Sequence, residues 1–233
     1  MTSSQDFTNL LPMHVAFIMD GNRRWAKKNN LPIIEGHKMG SEIIKRIVAK
    51  SLNLGIKYLT FYGFSTENWN RSHTEVLKLQ NLLEFYLDSE IESFKKKKIN
   101  FNFIGDITKF STVIRNKLIN LKKITSNFSK LFFVLALSYG SRQEIIGAVK
   151  KIKKNCEKIN ENDIKKNLMT SNLPDPDLVI RTSGEKRLSN FLLWQIAYSE
   201  LYFTKTLWPD FNVSRYSVAL KNYVSRKRRF GGD

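Results

Sequence analysis

Three polar clusters hold the residue types that chemistry on phosphate esters requires: Asp20-Gly-Asn-Arg-Arg-Trp25, Ser65-Thr-Glu-Asn-Trp-Asn-Arg71 and Arg181-Thr-Ser-Gly-Glu-Lys-Arg187. Arg24, Arg71, Arg181 and Arg187 are fork-shaped donors that match phosphate oxygens, and Asp20 and Glu200 are hard carboxylates suited to a divalent cation. Ser65, Ser183 and the amides around Gly21 and Gly184 add neutral donors, as in anion-binding nests. None of these residues is a nucleophile with an adjacent base. The set is suited to binding and stabilising a pyrophosphate, not to forming a covalent intermediate. Singly, each has a plainer reading: Asp-Gly-Asn is ordinary turn chemistry, Trp25 and Trp69 suit a core, and His37 suits a helix start. Arg71, Arg187 and Glu200 could equally be surface charges, His14 a satisfied structural imidazole and His73 an exposed helix-start residue.

What favours function is where the clusters fall. Each follows a short apolar run: His14 to Met19, Tyr58 to Tyr62, and Leu178 to Ile180. Between them, helical stripes run from about His37 to Gly55, over Val76 to Phe94 behind a Ser72/Glu75 capping box, and over Thr112 to Lys123. Further helices are read from Ser141, with Glu144 completing a second capping box, to about Asn155, near Glu161 to Leu168, and over Val213 to Arg226. Strands are also read at Asn100 to Ile104, Leu131 to Leu137 and Phe191 to Trp194. Strands alternating with helices predict an α/β fold, a single domain over 1–233 with a mostly parallel central sheet covered on both faces. In such sheets ligands collect beyond the carboxyl ends of the strands, so the three clusters point to one site.

Composition narrows the classes. The chain has 233 residues, 42% of them hydrophobic, with 16 Phe, 8 Tyr and 4 Trp, enough for one sizeable core. One cysteine, Cys156, excludes a disulfide framework and a cysteine-based zinc ribbon. The densest apolar run, Leu131 to Leu137, is far short of a membrane span, and the first six residues lack the basic and apolar segments of an export signal, which predicts a cytoplasmic protein. A net charge of +18 would attract nucleic acid or anionic lipid, but the lysines fall in small groups along helices and read as solvated faces, with no specific nucleic-acid site. P-loop, dinucleotide-fingerprint, zinc-protease, nucleophile-elbow and aspartate-rich motifs are absent.

His14-Val-Ala-Phe-Ile-Met-Asp-Gly-Asn-Arg-Arg-Trp-Ala26, Gly36-His37, Phe61 to Arg71, Ala136 to Arg142 and Pro174 to Phe203, with Leu207-Trp-Pro-Asp-Phe211 and the tail from Arg226 to Gly232, resemble the cis-prenyltransferases in order and spacing from about Met13 to Gly232. The resemblance implies repeated condensation of isopentenyl diphosphate onto an allylic diphosphate such as farnesyl diphosphate, with Mg²⁺ and a hydrophobic tunnel for the growing chain. It implies Asp20 as the essential carboxylate and Asn68 as a second catalytic residue, better suited to positioning than to proton abstraction because an amide is a poor base. Gly21, Asn22, Arg23, Arg24, Trp25 and His37 would cradle the allylic diphosphate. Ser65, Thr66, Glu67, Trp69 and Arg71 would line the reaction centre, Arg181, Arg187 and Ser189 would hold isopentenyl diphosphate, and Glu200 would be a second metal ligand. A homodimer that touches the inner membrane face to release product is also implied. The apolar faces of the 39–54 and 76–94 helices, with Phe101 and Phe103, are the expected tunnel walls.

The chain departs from the family pattern at Ile33, usually arginine, at Arg23, often glycine, and at Ser138 and Ser141, usually asparagine and glycine. Lys28 or Lys38 would have to replace the contact missing at Ile33. Two other classes stay open on sequence: a catalytically silent scaffold subunit, and a basic RNA-binding protein.

Overall fold

A computed structural model describes residues 10–152 and 159–226. In chain order the elements are β1 (His14–Ile18), α1 (Asn22–Lys28), α2 (Ile33–Leu54), β2 (Tyr58–Ser65), a 3₁₀ turn (Thr66–Asn70), α3 (His73–Ser89), α4 (Ile91–Lys97), β3 (Ile99–Ile104) and α5 (Thr112–Thr125). They continue with β4 (Leu131–Tyr139), α6 (Ser141–Ile152), α7 (Glu161–Asn167), β5 (Leu178–Arg181), β6 (Glu200–Phe203), a second 3₁₀ turn (Trp208–Asp210) and α8 (Val213–Val224).

The strands form one sheet in the order β3-β4-β2-β1-β5-β6, with every neighbouring pair parallel. All five residues of β1 are buried because the strand is central and both of its faces are covered. Val15 and Phe17 join a core with Ile43 and Ile47 of α2, Val76 and Leu87 of α3, Leu118 of α5 and Tyr216 of α8. Ala16 and Ile18 face a smaller core with Val134, Ala136, Tyr139 and the Phe191–Ile196 segment. From β1 the chain passes to β2, then to the edge strand β3 and back to β4, which inserts between β2 and β3, before it crosses to β5 and β6 on the other side of β1. The crevice beyond β1 and β5 is therefore the topological switch point, where open parallel sheets bind ligands.

One irregularity positions the site. Pairing between β2 and β4 shifts register around Gly63, which adds a bulge. Simple alternation would turn Phe64 to the face opposite Phe61, and the bulge returns it to that face, in the same core. A Cβ on Gly63 would lie 2.9 Å from Leu135 Cδ1, so a larger residue there would have to displace that side chain.

The structure corrects several sequence expectations. Phe191 to Trp194 is not a strand: these residues are bends and turns, Leu192 has φ 46°, Phe191 and Leu192 are buried, and the Phe191 ring packs against Tyr62 and Tyr139. The edge strand is Glu200–Phe203 instead. Asp20-Gly21-Asn22 begins a helix, α1, with Gly21 at φ 115° as its N-cap. The 76–94 stripe is broken at Glu90 into α3 and α4. The second capping box does not form, because Ser141 Oγ accepts from Leu193 N–H and Glu144 is bound to Tyr139, Gln195 and Met169. Cys156, the end of the helix read to about Asn155, and the tail beyond Arg226 lie outside the described residues.

His14 is structural, as its plainer reading has it. It is 2% exposed, with Nδ1 2.7 Å from Pro174 O and Nε2 2.8 Å from Thr60 Oγ1, a bond that ties β1 to β2. Burial lowers its pKa from 6.5 to about 4, against the opposing pull of the Pro174 carbonyl and Asp177. Because the folded value is depressed, the unfolded chain binds the extra proton between the two values. This contribution to stability is therefore complete above pH 6.5 and lost as pH falls toward 4. Chemical denaturation across this range should show stability falling by up to ~1.4 kcal/mol per pH unit from this group, and His14→Gln should flatten that slope.

Candidate active site

The centre of the site is an ion pair across the switch point. Register places Ile18 beside Arg181, and two residues beyond Ile18 the Asp20 carboxylate meets the guanidinium, with Arg181 Nη2 2.9 Å from Oδ2. Arg181 is only 3% exposed, so its charge needs partners. Its Nη1 donates to Ser189 Oγ at 2.7 Å and to the Arg187 carbonyl. Thr182 fixes the Asp20 backbone, accepting from its N–H at 3.0 Å and donating to its carbonyl at 2.6 Å. The other carboxylate oxygen faces Arg24 Nη2 at 3.2 Å. Glu185 draws Arg24 and Arg187 together, at 3.4 and 2.5 Å.

Beside this pair opens a cavity of about 270 Å³ between α2, α3, α4 and the sheet. Its mouth is polar, with Asn22, His37, Asn68 and Arg71, and its depth is apolar, with Ile44, Leu83, Phe94, Phe101, Phe133 and Leu137. Gly40 keeps the mouth open, since a Cβ there would lie 2.6 Å from Asn22 Oδ1 and 2.8 Å from Trp208. Asn22 Nδ2 reaches His37 Nδ1 at 3.4 Å, which leaves Nε2 as the N–H of the neutral ring. Burial, then the charges of Arg71 and Arg23, lowers the His37 pKa to about 4, so near neutral pH the imidazole is an uncharged donor. Arg71 and Arg23 share Glu75, at 2.9 and 3.7 Å.

On the other side of Asp20–Arg181 lies a second basin of about 610 Å³, lined by Glu67, Arg142, Lys186, Arg187, Ser189 and Asn190 together with Leu188, Leu193, Leu201 and Phe203. Among the described residues, seven buried side-chain polar atoms have no partner. Five of them belong to this region: Asn22 Oδ1, His37 Nε2, Thr66 Oγ1, Arg181 Nε and Ser183 Oγ. Each unmade bond costs about 1–3 kcal/mol, a penalty that such groups carry where a ligand will satisfy them. Backbone strain gathers in the same place, with Ser183, Ser189, Asn190 and Leu192 all at positive φ.

The structure thus brings together Asp20, Gly21, Asn22, Arg24, His37, Asn68, Arg71, Arg181, Arg187 and Ser189 around two adjoining cavities. Asn68 Oδ1 is already occupied by Ser65 N–H at 3.1 Å, which makes its carbonyl a brace for the 3₁₀ turn and not a free base. Trp69 packs on Phe64 and Phe110 and donates to Ser138 Oγ at 2.9 Å. Trp25 donates its indole N–H to Asp210 at 2.8 Å. Glu200 is not brought to Asp20 within the chain. It opens β6 in register with Leu178, three residues below the level of Arg181, roughly 10 Å along the strand, and Arg226 holds its carboxylate. Lys38 is turned to Glu35 at 2.8 Å, away from the role considered for it. Phe101 lines the cavity, whereas Phe103 packs against the core. Sequence reading gave no site role to Thr182, Glu185 or Glu75; Glu75 was read only as a capping-box residue, although its place four residues after Arg71 on a helix start was a readable signal for the ion pair.

Comparison with known proteins gives the site its context. Residues 18–231 match the family model described as "Putative undecaprenyl diphosphate synthase". A ditrans,polycis-undecaprenyl-diphosphate synthase, (2E,6E)-farnesyl-diphosphate specific, from Buchnera aphidicola is 49% identical over 95% of this chain and 91% of its own length. The isoprenyl transferase of Thermotoga maritima is 45% identical over 95% and 97%. Among solved structures, lavandulyl diphosphate synthase from Lavandula x intermedia, in complex with dimethylallyl diphosphate, superposes with a TM-score of 0.92 at 36% identity, covering 96% of this chain and 99% of that one. Fold, rim residues and sequence agree that the chain is an enzyme of the undecaprenyl diphosphate synthase family of prenyltransferases.

Proposed function

We propose that the chain acts as one catalytic domain that condenses isopentenyl diphosphate repeatedly onto an allylic diphosphate, farnesyl diphosphate being the primer, with cis double bonds and a polyprenyl diphosphate product of the undecaprenyl class. The observation that carries this reading is the gathering of five unpartnered buried polar groups near the Asp20–Arg181 pair, between an apolar-walled cavity and a basin edged by Arg142, Lys186 and Arg187. A prenyl diphosphate is an amphiphile of that shape, with an anionic head and a hydrocarbon tail that must be kept from water. Asn22, Arg23, Arg24, His37 and Arg71 receive the allylic diphosphate, with the tail in the cavity between α2 and α3. Arg181, Arg187 and Ser189 hold isopentenyl diphosphate in the basin. Ser65, Thr66, Glu67 and Asn68 separate the two, and Trp69 buttresses them through Ser138.

Ionising an allylic diphosphate concentrates negative charge on the departing pyrophosphate, and fixed guanidinium and amide donors stabilise it without reorganising. His37 contributes an N–H with no charge of its own, and its neutrality leaves the arginines to set the field. The donor chemistry fits Mg²⁺: Asp20 is a single, partly exposed rim carboxylate, and among the described residues no group of three or more His, Cys, Asp or Glu forms a cage. Mg²⁺ commonly takes one or two carboxylates and fills its remaining positions with water and substrate phosphate. When bound at Asp20 it would supply further neutralisation of the leaving pyrophosphate. Glu200 is left out of this set.

Neither alternative is favoured, since the diphosphate-binding side chains are retained and related proteins of known name are transferases. A homodimer in the cytoplasm, with product release at an anionic membrane face attracted by the +18 charge, completes the proposal. Among the described residues no helix is long and apolar enough to cross a membrane. Size-exclusion chromatography and salt-dependent sedimentation with anionic vesicles test these last points; a monomer, or no vesicle binding, would remove them.

Incubation with Mg²⁺, farnesyl diphosphate and labelled isopentenyl diphosphate should move label into the organic phase, EDTA should abolish this, and Asp20→Ala should reduce it about 100-fold or more. Wild-type turnover by Asp20→Ala would overturn the assignment. Leu83→Trp, which adds bulk at a partly buried position on the cavity wall, should shorten the product on chromatography of the dephosphorylated chains. An unchanged length would place the growing chain elsewhere.

A further inference from the structure

Resting on that two-substrate reading, we propose that Asn190 is a positioning residue for isopentenyl diphosphate. Its side-chain amide locks the strained turn after Arg187 onto the start of α6 and onto Glu67, and so sets where Ser189 and Arg181 present their donors.

The turn needs such a lock. Ser189, Asn190 and Leu192 have φ of 49°, 61° and 46°. Asparagine tolerates the left-handed region, but serine and leucine do so poorly, and such backbone persists only where surrounding bonds over-determine it. Those bonds converge on Asn190. Its Oδ1 accepts from Arg142 N–H at 2.9 Å, its carbonyl accepts from Ser141 N–H at 2.8 Å, and its Nδ2 donates to Gln143 Oε1 at 3.1 Å and Glu67 Oε1 at 3.3 Å. Beyond it, Leu193 N–H donates to Ser141 Oγ at 2.9 Å, and Gln195 Nε2 donates to the buried Glu144 at 2.9 Å. The first turn of α6 is thus a socket for this loop, which explains why Ser141 and Glu144 make no capping box.

The socket is cut to the amide. A Cβ on Gly140 would lie 2.6 Å from Asn190 Nδ2 and 2.2 Å from Gln143 Oε1. One residue before Asn190, Ser189 Oγ meets Arg181 Nη1 at 2.7 Å. Displacing the amide therefore moves a donor group of the basin while leaving the mouth at His37 and Asn22 untouched. Asn190 also joins Glu67, at the rim of β2, to the loop beyond β5.

Two variants perturb the amide independently. Asn190→Gly removes the side chain while keeping a residue at ease at φ 61°, and Gly140→Ala keeps Asn190 but fills the space of its amide. Both should raise KM for isopentenyl diphosphate about tenfold, the worth of about one lost hydrogen bond, while KM for the allylic diphosphate stays within about twofold. A merely structural role would lower Tm and kcat without splitting the two KM values. Should circular dichroism find Asn190→Gly unfolded, Asn190→Asp, which keeps the acceptor but sets a carboxylate against Glu67, should give the same split. Unchanged or equally raised KM values in folded variants, with the wild type active, would overturn this inference alone. A wild type that incorporates no isopentenyl diphosphate would overturn the functional reading and this inference with it.

Discussion

A buried cation at a sheet's switch point is the constraint around which the rest is arranged. Arg181 ends β5 almost wholly out of water, and an arginine so placed costs several kcal/mol unless it is paired and hydrogen-bonded. Asp20 supplies the charge, Ser189 and the Arg187 carbonyl supply acceptors, and one nitrogen, Nε, is left over. Such a pair is poor value as a stabiliser, because well-packed apolar residues would usually serve as well. Its cost makes sense if the guanidinium and carboxylate are being held for a ligand. The sheet order then follows as a requirement: β1 and β5 must be neighbours in this register for Asp20 and Arg181 to meet, and the loop after β5 must curl back through left-handed backbone to complete the shell.

The second constraint is separation of polarity along one cavity. Asn22, His37 and Arg71 cluster where α1, α2 and the β2 rim converge, and within a few turns down α2 and α3 the lining becomes Ile44, Val48, Leu83 and Leu87. The bulge at Gly63 and the missing side chain at Gly40 create this arrangement, one by turning Phe64 inward and the other by leaving room beside Trp208. Apolar walls next to fixed charges lower the local dielectric, so the rim donors act more strongly on a bound anion than they would in water.

Much of this was legible in the sequence, for identifiable reasons. The apolar runs His14 to Met19 and Tyr58 to Tyr62 gave the strands and rim clusters, because a buried strand and the loop beyond it differ so sharply in residue type, although β2 runs on through Gly63 and Phe64 to Ser65. Gly55 ended its helix as expected, at φ 77°. The errors have physical causes. Phe191 to Trp194 has a strand's composition but is buried by turns, and hydrophobicity reports burial before it reports backbone shape. Glu200 is a different case: its carboxylate is chemically apt for a metal, and only register reveals that within one chain it sits at the opposite end of its strand from the level of Arg181. Glu185, Thr182 and Asn190 were invisible because their roles depend on long-range approach between loops. Ile33 begins α2 without a phosphate donor, while Arg23 lies close enough to His37 to depress its pKa, so a cation is present at the mouth from another element.

The central claim is that a diphosphate head sits beside Asp20 and Arg181 with its hydrocarbon tail between α2 and α3. A crystal structure with Mg²⁺ and a non-hydrolysable thio-analogue of farnesyl diphosphate tests it most directly. The account predicts phosphate oxygens on His37 Nε2, Arg24 and Arg71, with the tail against Ile44, Leu83 and Leu137. A diphosphate bound away from the switch point, or a tail lying outside that cavity, would contradict it.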